Sequence, residues 1–134
     1  MSTESRKPMA PELLSERIHD RLEQHAAEEA SVEKRLSTLE LCGPIALKRL
    51  IEVAEGHSGQ SHHCRRILLA VYNGSKWPLE LTRLRCLDRD LQRGAIILIE
   101  WSAYSGRELH EYLENGDHLM NRFWETESCQ GGES

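Results

Sequence analysis

Aromatic residues are scarce in this chain: one Phe, three Tyr and three Trp among 134 residues. They form no ribonucleoprotein-type motif, so base stacking on an aromatic sheet is not in prospect. Trp77, Trp101 and Trp124 read as packing anchors, with Trp124 alone a fair contact residue near a helix end. No apolar run approaches the ~20 residues that span a bilayer. The opening MSTESRKPMAPELL contains no apolar signal-peptide core. A membrane role is therefore not expected, and a cytoplasmic location is. The four cysteines, Cys42, Cys64, Cys86 and Cys129, never fall in close pairs. That scatter suits reduced thiols in a cytosolic protein and lacks zinc-ligand spacing. There is no P-loop and no internal repeat. His110-Glu111 opens HEYLE, which is one histidine short of the HExxH metalloprotease helix.

What the chain does have is helical periodicity. The densest apolar block is Ile67, Leu68, Leu69, Ala70, Val71 and Tyr72, apolar around most of a helix and hence buried on several sides. Ser61 is placed to cap its start. Asn73-Gly74 would stop it in the left-handed conformation. Trp77-Pro78 then imposes an extended connector. Downstream, Leu84, Leu87 and Leu91 keep helical spacing, with Asp88 as a cap. The AIILIEW run at 95–101 suits either a buried strand or a helix, and without a partner strand the helix is the better reading.

Toward the N-terminus, Pro11 suits a first helical position, and Leu14, Ile18, Leu22 and Ala26 recur four apart. They predict an amphipathic arm over 10–41, a surface for the body or for a second copy, with a restart at the Ser37–Glu40 capping box. Gly43-Pro44 predicts a break and a new helix start, and Leu47, Leu50, Ile51 and Ala54 form that helix's stripe, ending at Gly56. Ser105–Glu108, SGRE, predicts the opening of the last helix, with Asn115-Gly116-Asp117 interrupting it. The resulting expectation is an all-α protein, a small bundle of about five helices with an N-terminal amphipathic helical arm. Residues 1–9 are expected to be disordered, 10–41 the arm, 43–124 a single helical domain, and 125–134 a disordered tail.

The pieces GQS at 59–61, LLAVYN at 68–73, the Trp77-Pro78 connector with LELTRL at 79–84, and LD at 87–88 carry a resemblance. Together they are similar to an uncharacterised family of small helical domains from proteobacteria, met largely on plasmids, phages and integrative elements. The likeness runs from about Gly43 to Trp124, and the end of the chain lacks that family's Tyr-Pro and Trp-Arg-Pro pieces. The resemblance implies a small intracellular accessory protein and transfers no site residue.

Charge is distributed unevenly. Residues 1–33 carry −4, residues 34–93 carry +5, and residues 94–134 carry −6. The basic middle is either an anion-binding surface or one half of an internal neutralisation, and the second is the plainer reading. The candidate anion site is the GQSHHCRR helix start, where free backbone N–H groups and the helix dipole favour a phosphate. Ser61, His62, Arg65 and Arg66 would supply donors, and Arg85 and Arg89 would widen the patch. His57, His62, His63 and Cys64 are residue types that bind zinc. Adjacent helix positions nevertheless diverge by about 100°, and Cys64 shares the apolar stripe. Neither a metal, a cofactor nor a catalytic residue is expected. The leading expectation is a non-enzymatic interaction protein with a protein partner, pairing through residues 10–41 as a homodimer; the alternative is a nucleic-acid or phosphate-binding module using the basic middle.

Overall fold

The computed structural model describes residues 10–133, with side chains through Cys129. Five α-helices occur in that span: α1 Pro11–Ala54, α2 Gly59–Tyr72, α3 Thr82–Arg85, α4 Arg89–Tyr104 and α5 Gly116–Glu133, with a 3-10 turn at Leu109–Tyr112 before the last. No strand occurs among the described residues, so AIILIEW is helical, as its lack of a partner strand implied. By packing, the chain divides between Arg35 and Leu36. In the first unit, Leu14, Ile18 and Leu22 form an exposed stripe. The disorder expected for residues 1–9 concerns a segment outside the described residues. The core belongs to the second unit and is built around Leu39, Leu50, Ile67, Leu69, Leu98 and Trp101, all fully buried.

The break expected at Gly43-Pro44 is absent: α1 runs through it, and through the Ser37–Glu40 box, as one helix. An interior proline costs a helix about 3 kcal/mol or more, by deleting one N–H and crowding the carbonyl four residues back. Pro44 and Glu40 both lie on the exposed side, so the freed carbonyl is not sealed in the core. On the other side Leu39, Ala46, Leu47, Leu50 and Ile51 are buried. At ~1.5–3 kcal/mol for each large side chain, that burial outweighs the proline. Gly43 serves packing: a Cβ there would lie 2.6 Å from Trp101 Cδ2. Gly94 in α4 is comparable, since its Cβ would come within 2.8 Å of Leu50 Cδ1. Two glycines thus let α1 and α4 approach closely.

At α2 the cap is Ser58, three residues earlier than expected. Its Oγ accepts from Ser61 N–H at 3.1 Å, and Ser61 Oγ accepts from Ser58 N–H at 3.1 Å, a reciprocal capping box. Asn73 ends the helix at φ −151° and ψ 85°, not in the left-handed conformation. Its side chain instead accepts from Lys76 N–H and Ser75 Oγ, closing the turn toward Trp77.

SGRE does not open the last helix. Ser105 closes α4, its N–H donating to Trp101 O, and its Oγ accepts from Arg107 N–H. A 3-10 turn follows because Leu109 and Tyr112, three apart, eclipse on one side of such a turn and pack inward together. Asn115, at φ 56°, then redirects the chain, and Gly116 starts α5 where a Cβ would clash with the His110 carbonyl. The tail expected to be disordered from Glu125 is helical to Glu133, and Glu127 within it is fully buried. Sequence composition had hidden that anchor among glycine and serine.

A carboxylate clamp and an open apolar face

The first turn of α2 is where the sequence places its chemistry. Ser61, His62, Arg65 and Arg66 are brought together there, and the Glu127 carboxylate of α5 meets the last three. Arg65 Nε donates to Glu127 Oε2 at 2.7 Å and Arg66 Nε to Oε1 at 2.6 Å. Arg65 Nη1 also donates to the carbonyls of Ala54 at 2.8 Å and Gly56 at 3.0 Å, the unpaired end of α1. His62 Nδ1 stands 2.7 Å from Oε1, an ion-pair distance, without the alignment of a hydrogen bond. Ser61 is buried in the capping box, Arg65 is 4 % exposed, and Arg66 lies over the Trp77 ring at 4.6 Å.

Burial pushes the Glu127 carboxyl upward, but the hydrogen bonds from Arg66 and Arg65, with His62 close beside them, outweigh it and hold the group below its ordinary value. So held, and shielded from solvent, this carboxylate is a poor proton acceptor and a good structural anchor. Around it, Arg83 Nη1 reaches His62 Nε2 at 3.3 Å and His63 Nδ1 at 3.1 Å, while its Nη2 pairs with Glu80 at 2.9 Å. Burial, then the charge of Arg83, lowers the His63 pKa, so that ring favours its neutral form. Arg85 and Arg89 stand apart from this cluster. Arg85 is exposed at the end of α3, and Arg89 bonds Gln92 at 3.3 Å.

Cys64 is fully buried, and burial pushes its thiol up to about 11, which keeps it unreactive. Among the described residues no group of three or more His, Cys, Asp and Glu converges to hold a metal. The residue sequence reasoning missed is Glu127. Its only sequence signal was the opposite sign of the middle and the end of the chain, which named a neutralisation without naming partners.

A second feature carries no titratable cluster. Between α1 and α4 lies a shallow groove of about 390 Å³, walled by Cys42, Ile45, Arg93 and Ile97 and floored by Ala46 and Gly94. The Arg49–Asp90 ion pair, 3.2 Å, also borders it. Leu41 is 77 % exposed, Ile45 72 % and Ile96 50 %. Another hollow, about 340 Å³, lies by Leu79, Ile99, Ser102 and Arg107. Arg107 there is already engaged, its guanidinium stacked on Tyr112 at 4.3 Å and bonded to the Glu111 carbonyl at 3.2 Å.

Residues 45–128 match a family described as one of unknown function. No curated protein and no solved structure matches the chain. No helix among the described residues is long and apolar enough to cross a membrane.

Proposed function

The chain belongs to that family, DUF7673, and we propose that it is a non-enzymatic interaction protein, an accessory factor that works through protein contacts. The observation that carries this reading is the open apolar face of α1 and α4. Leu41, Ile45 and Ile96 on these helices are at least half exposed, and Ile45 lines the groove with Cys42, Ala46 and Ile97, rimmed by Arg49, Asp90 and Arg93. Contiguous exposed apolar surface beside polar residues is the usual mark of a protein-contact site. The exposed stripe Leu14, Ile18 and Leu22 offers a second such surface, within residues 10–41. A cytoplasmic location and association with a mobile element complete the reading; they rest on composition and on the resemblance of the GQS, LLAVYN and LELTRL pieces.

The nucleic-acid alternative has less support, because two of its six residues, Ser61 and Arg65, are buried, and both Arg65 and Arg66 are held by Glu127. The test is affinity purification of tagged chain from cells that carry it, comparing wild type, Ile45→Asp and Arg85→Ala/Arg89→Ala. The proposal expects a co-purifying protein lost with Ile45→Asp and retained with the arginine pair removed. Partners unaffected by Ile45→Asp, or nucleic acid lost with the arginines, would refute it.

A further inference from the structure

We infer that the groove between α1 and α4 is the seat of a short amphipathic helix from another protein, one that carries two aliphatic side chains a turn apart and a carboxylate one turn beyond them. The inference rests on the reading of this face as a protein-contact surface and names the kind of segment that occupies it.

Both walls of the groove have helical regularity. From α1 come Cys42, Ile45, Ala46 and Arg49, and from α4 come Asp90, Arg93, Gly94 and Ile97. Each set has the spacing i, i+3, i+4, i+7, which lies along one side of a helix. The two helices run antiparallel here, because Gly43 packs by Trp101 while Gly94, earlier in α4, packs by Leu50. Seven residues at ~1.5 Å each give a straight valley about 10 Å long. Its ends differ: Cys42 and Ile97 stand at one, and Arg49, Asp90 and Arg93 at the other.

Charge defines what the second end takes. Arg49 and Asp90 neutralise each other at 3.2 Å. Arg93 is exposed and makes no ion pair among the described residues. That end therefore keeps one uncompensated cation, and a carboxylate is its complement. The other end is complemented by aliphatic groups alone.

Of the recurring modes of segment recognition, a helix laid in the groove is the one this lining suits. Strand addition needs a sheet edge, and the described residues contain no strand. Proline-rich segments need aromatic walls, and no aromatic residue lines the valley. Phosphorylated motifs need an arginine cluster, and one of the two arginines here is already paired with Asp90. A third helix would lie at the usual ~8–10 Å from its neighbours. Beneath it the floor is Gly94 and Ala46, one residue without a side chain and one with a single methyl. An aliphatic side chain can therefore descend between α1 and α4, and a second can lie against Cys42 and Ile97, with Ile45 closing over both. One further turn, ~5.4 Å, reaches the level of Arg93.

Selection from a phage-displayed library of helix-forming peptides of about four turns, with the full chain as bait, tests this. Enriched sequences are expected to carry Leu, Ile or Val at i and i+4 and Asp or Glu at i+8 or i−4. The synthetic peptide should bind at least about tenfold more weakly to Ile45→Asp and to Arg93→Glu. Replacing its acidic residue with Lys should restore binding to Arg93→Glu to within about threefold of the original pair. The arm variant Ile18→Glu/Leu22→Glu should bind it as wild type does. Circular dichroism confirms that each variant is folded, which the exposure of Ile45 and Arg93 favours. Enriched peptides without an acidic residue overturn the inference, as does binding unchanged by Ile45→Asp or Arg93→Glu, or lost only in the arm variant. Sedimentation of the chain alone as a dimer that Ile45→Asp disperses would place a second copy in the groove and also overturn it. A library that yields no binder, while a co-purifying protein is still lost with Ile45→Asp, overturns this inference and leaves the proposed function standing.

Discussion

Replacing Glu127 with alanine is the sharpest probe of how the body is held. The carboxylate is fully buried and meets Arg65, whose own side chain is 5 % exposed, and Arg66, at 21 %. Removing one partner of a buried pair leaves an uncompensated charge and costs ~3–5 kcal/mol. Arg65 keeps its bonds to the Ala54 and Gly56 carbonyls, so the lower half of that range is the better estimate. For a domain of this size, ~3 kcal/mol lowers Tm by about 10 °C. Urea unfolding followed by tryptophan fluorescence suits the measurement, because Trp77 and Trp124 stack edge to face at 5.5 Å beside Arg66. The loss should depend on pH in a defined direction. The Glu127 pKa is lowered on folding from its ordinary 4.5. Its stabilisation is therefore fully present above 4.5 and disappears as pH falls through the folded value. The gap between wild type and Glu127→Ala should accordingly narrow on acidification below that point. A destabilisation under ~1 kcal/mol at pH 7, typical of a surface pair, would refute the clamp.

Three further outcomes follow from the packing. Gly43→Ala should destabilise by ~1–3 kcal/mol, through overpacking against Trp101, despite alanine's better helix propensity. Gly59→Ala, where a Cβ meets nothing within 4 Å, should be neutral or stabilising; paired melts check the contrast in sign. Pro44→Ala should raise stability by ~1–3 kcal/mol, by restoring an N–H bond to the Glu40 carbonyl in the middle of α1; a lower Tm would show that the proline helps the helix. With Ellman's reagent, exposed Cys86 and Cys129 should react promptly in the folded chain and Cys64 only on unfolding; labelling of Cys64 at the Cys86 rate would contradict its burial.

The all-α class, the central helix and the helical reading of AIILIEW were legible because periodicity and stop signals agreed. Where they disagreed, tertiary packing decided. Gly43-Pro44 has the local grammar of a break, yet one residue faces Trp101 and the other faces water, so α1 continues. SGRE has the grammar of a helix start, yet Leu109 and Tyr112 reach the core from a 3-10 turn. The candidate anion site was half legible. Proximity of Ser61, His62, Arg65 and Arg66 along one turn is a local property and held. The partner of the two arginines, 62 and 61 residues away at Glu127, is a long-range pairing that charge totals cannot assign. The apolar face was hidden for the same reason: Ile45 and Ile97 share a groove only because Gly43 and Gly94 draw two distant helices together.

The most direct measurement replaces Ile45 with a photo-crosslinking amino acid and irradiates the cells that carry the protein. Adducts that are protein, identified by mass spectrometry, are the expected result. Adducts to nucleic acid alone, or no adduct at all, would contradict a protein-contact role for this face.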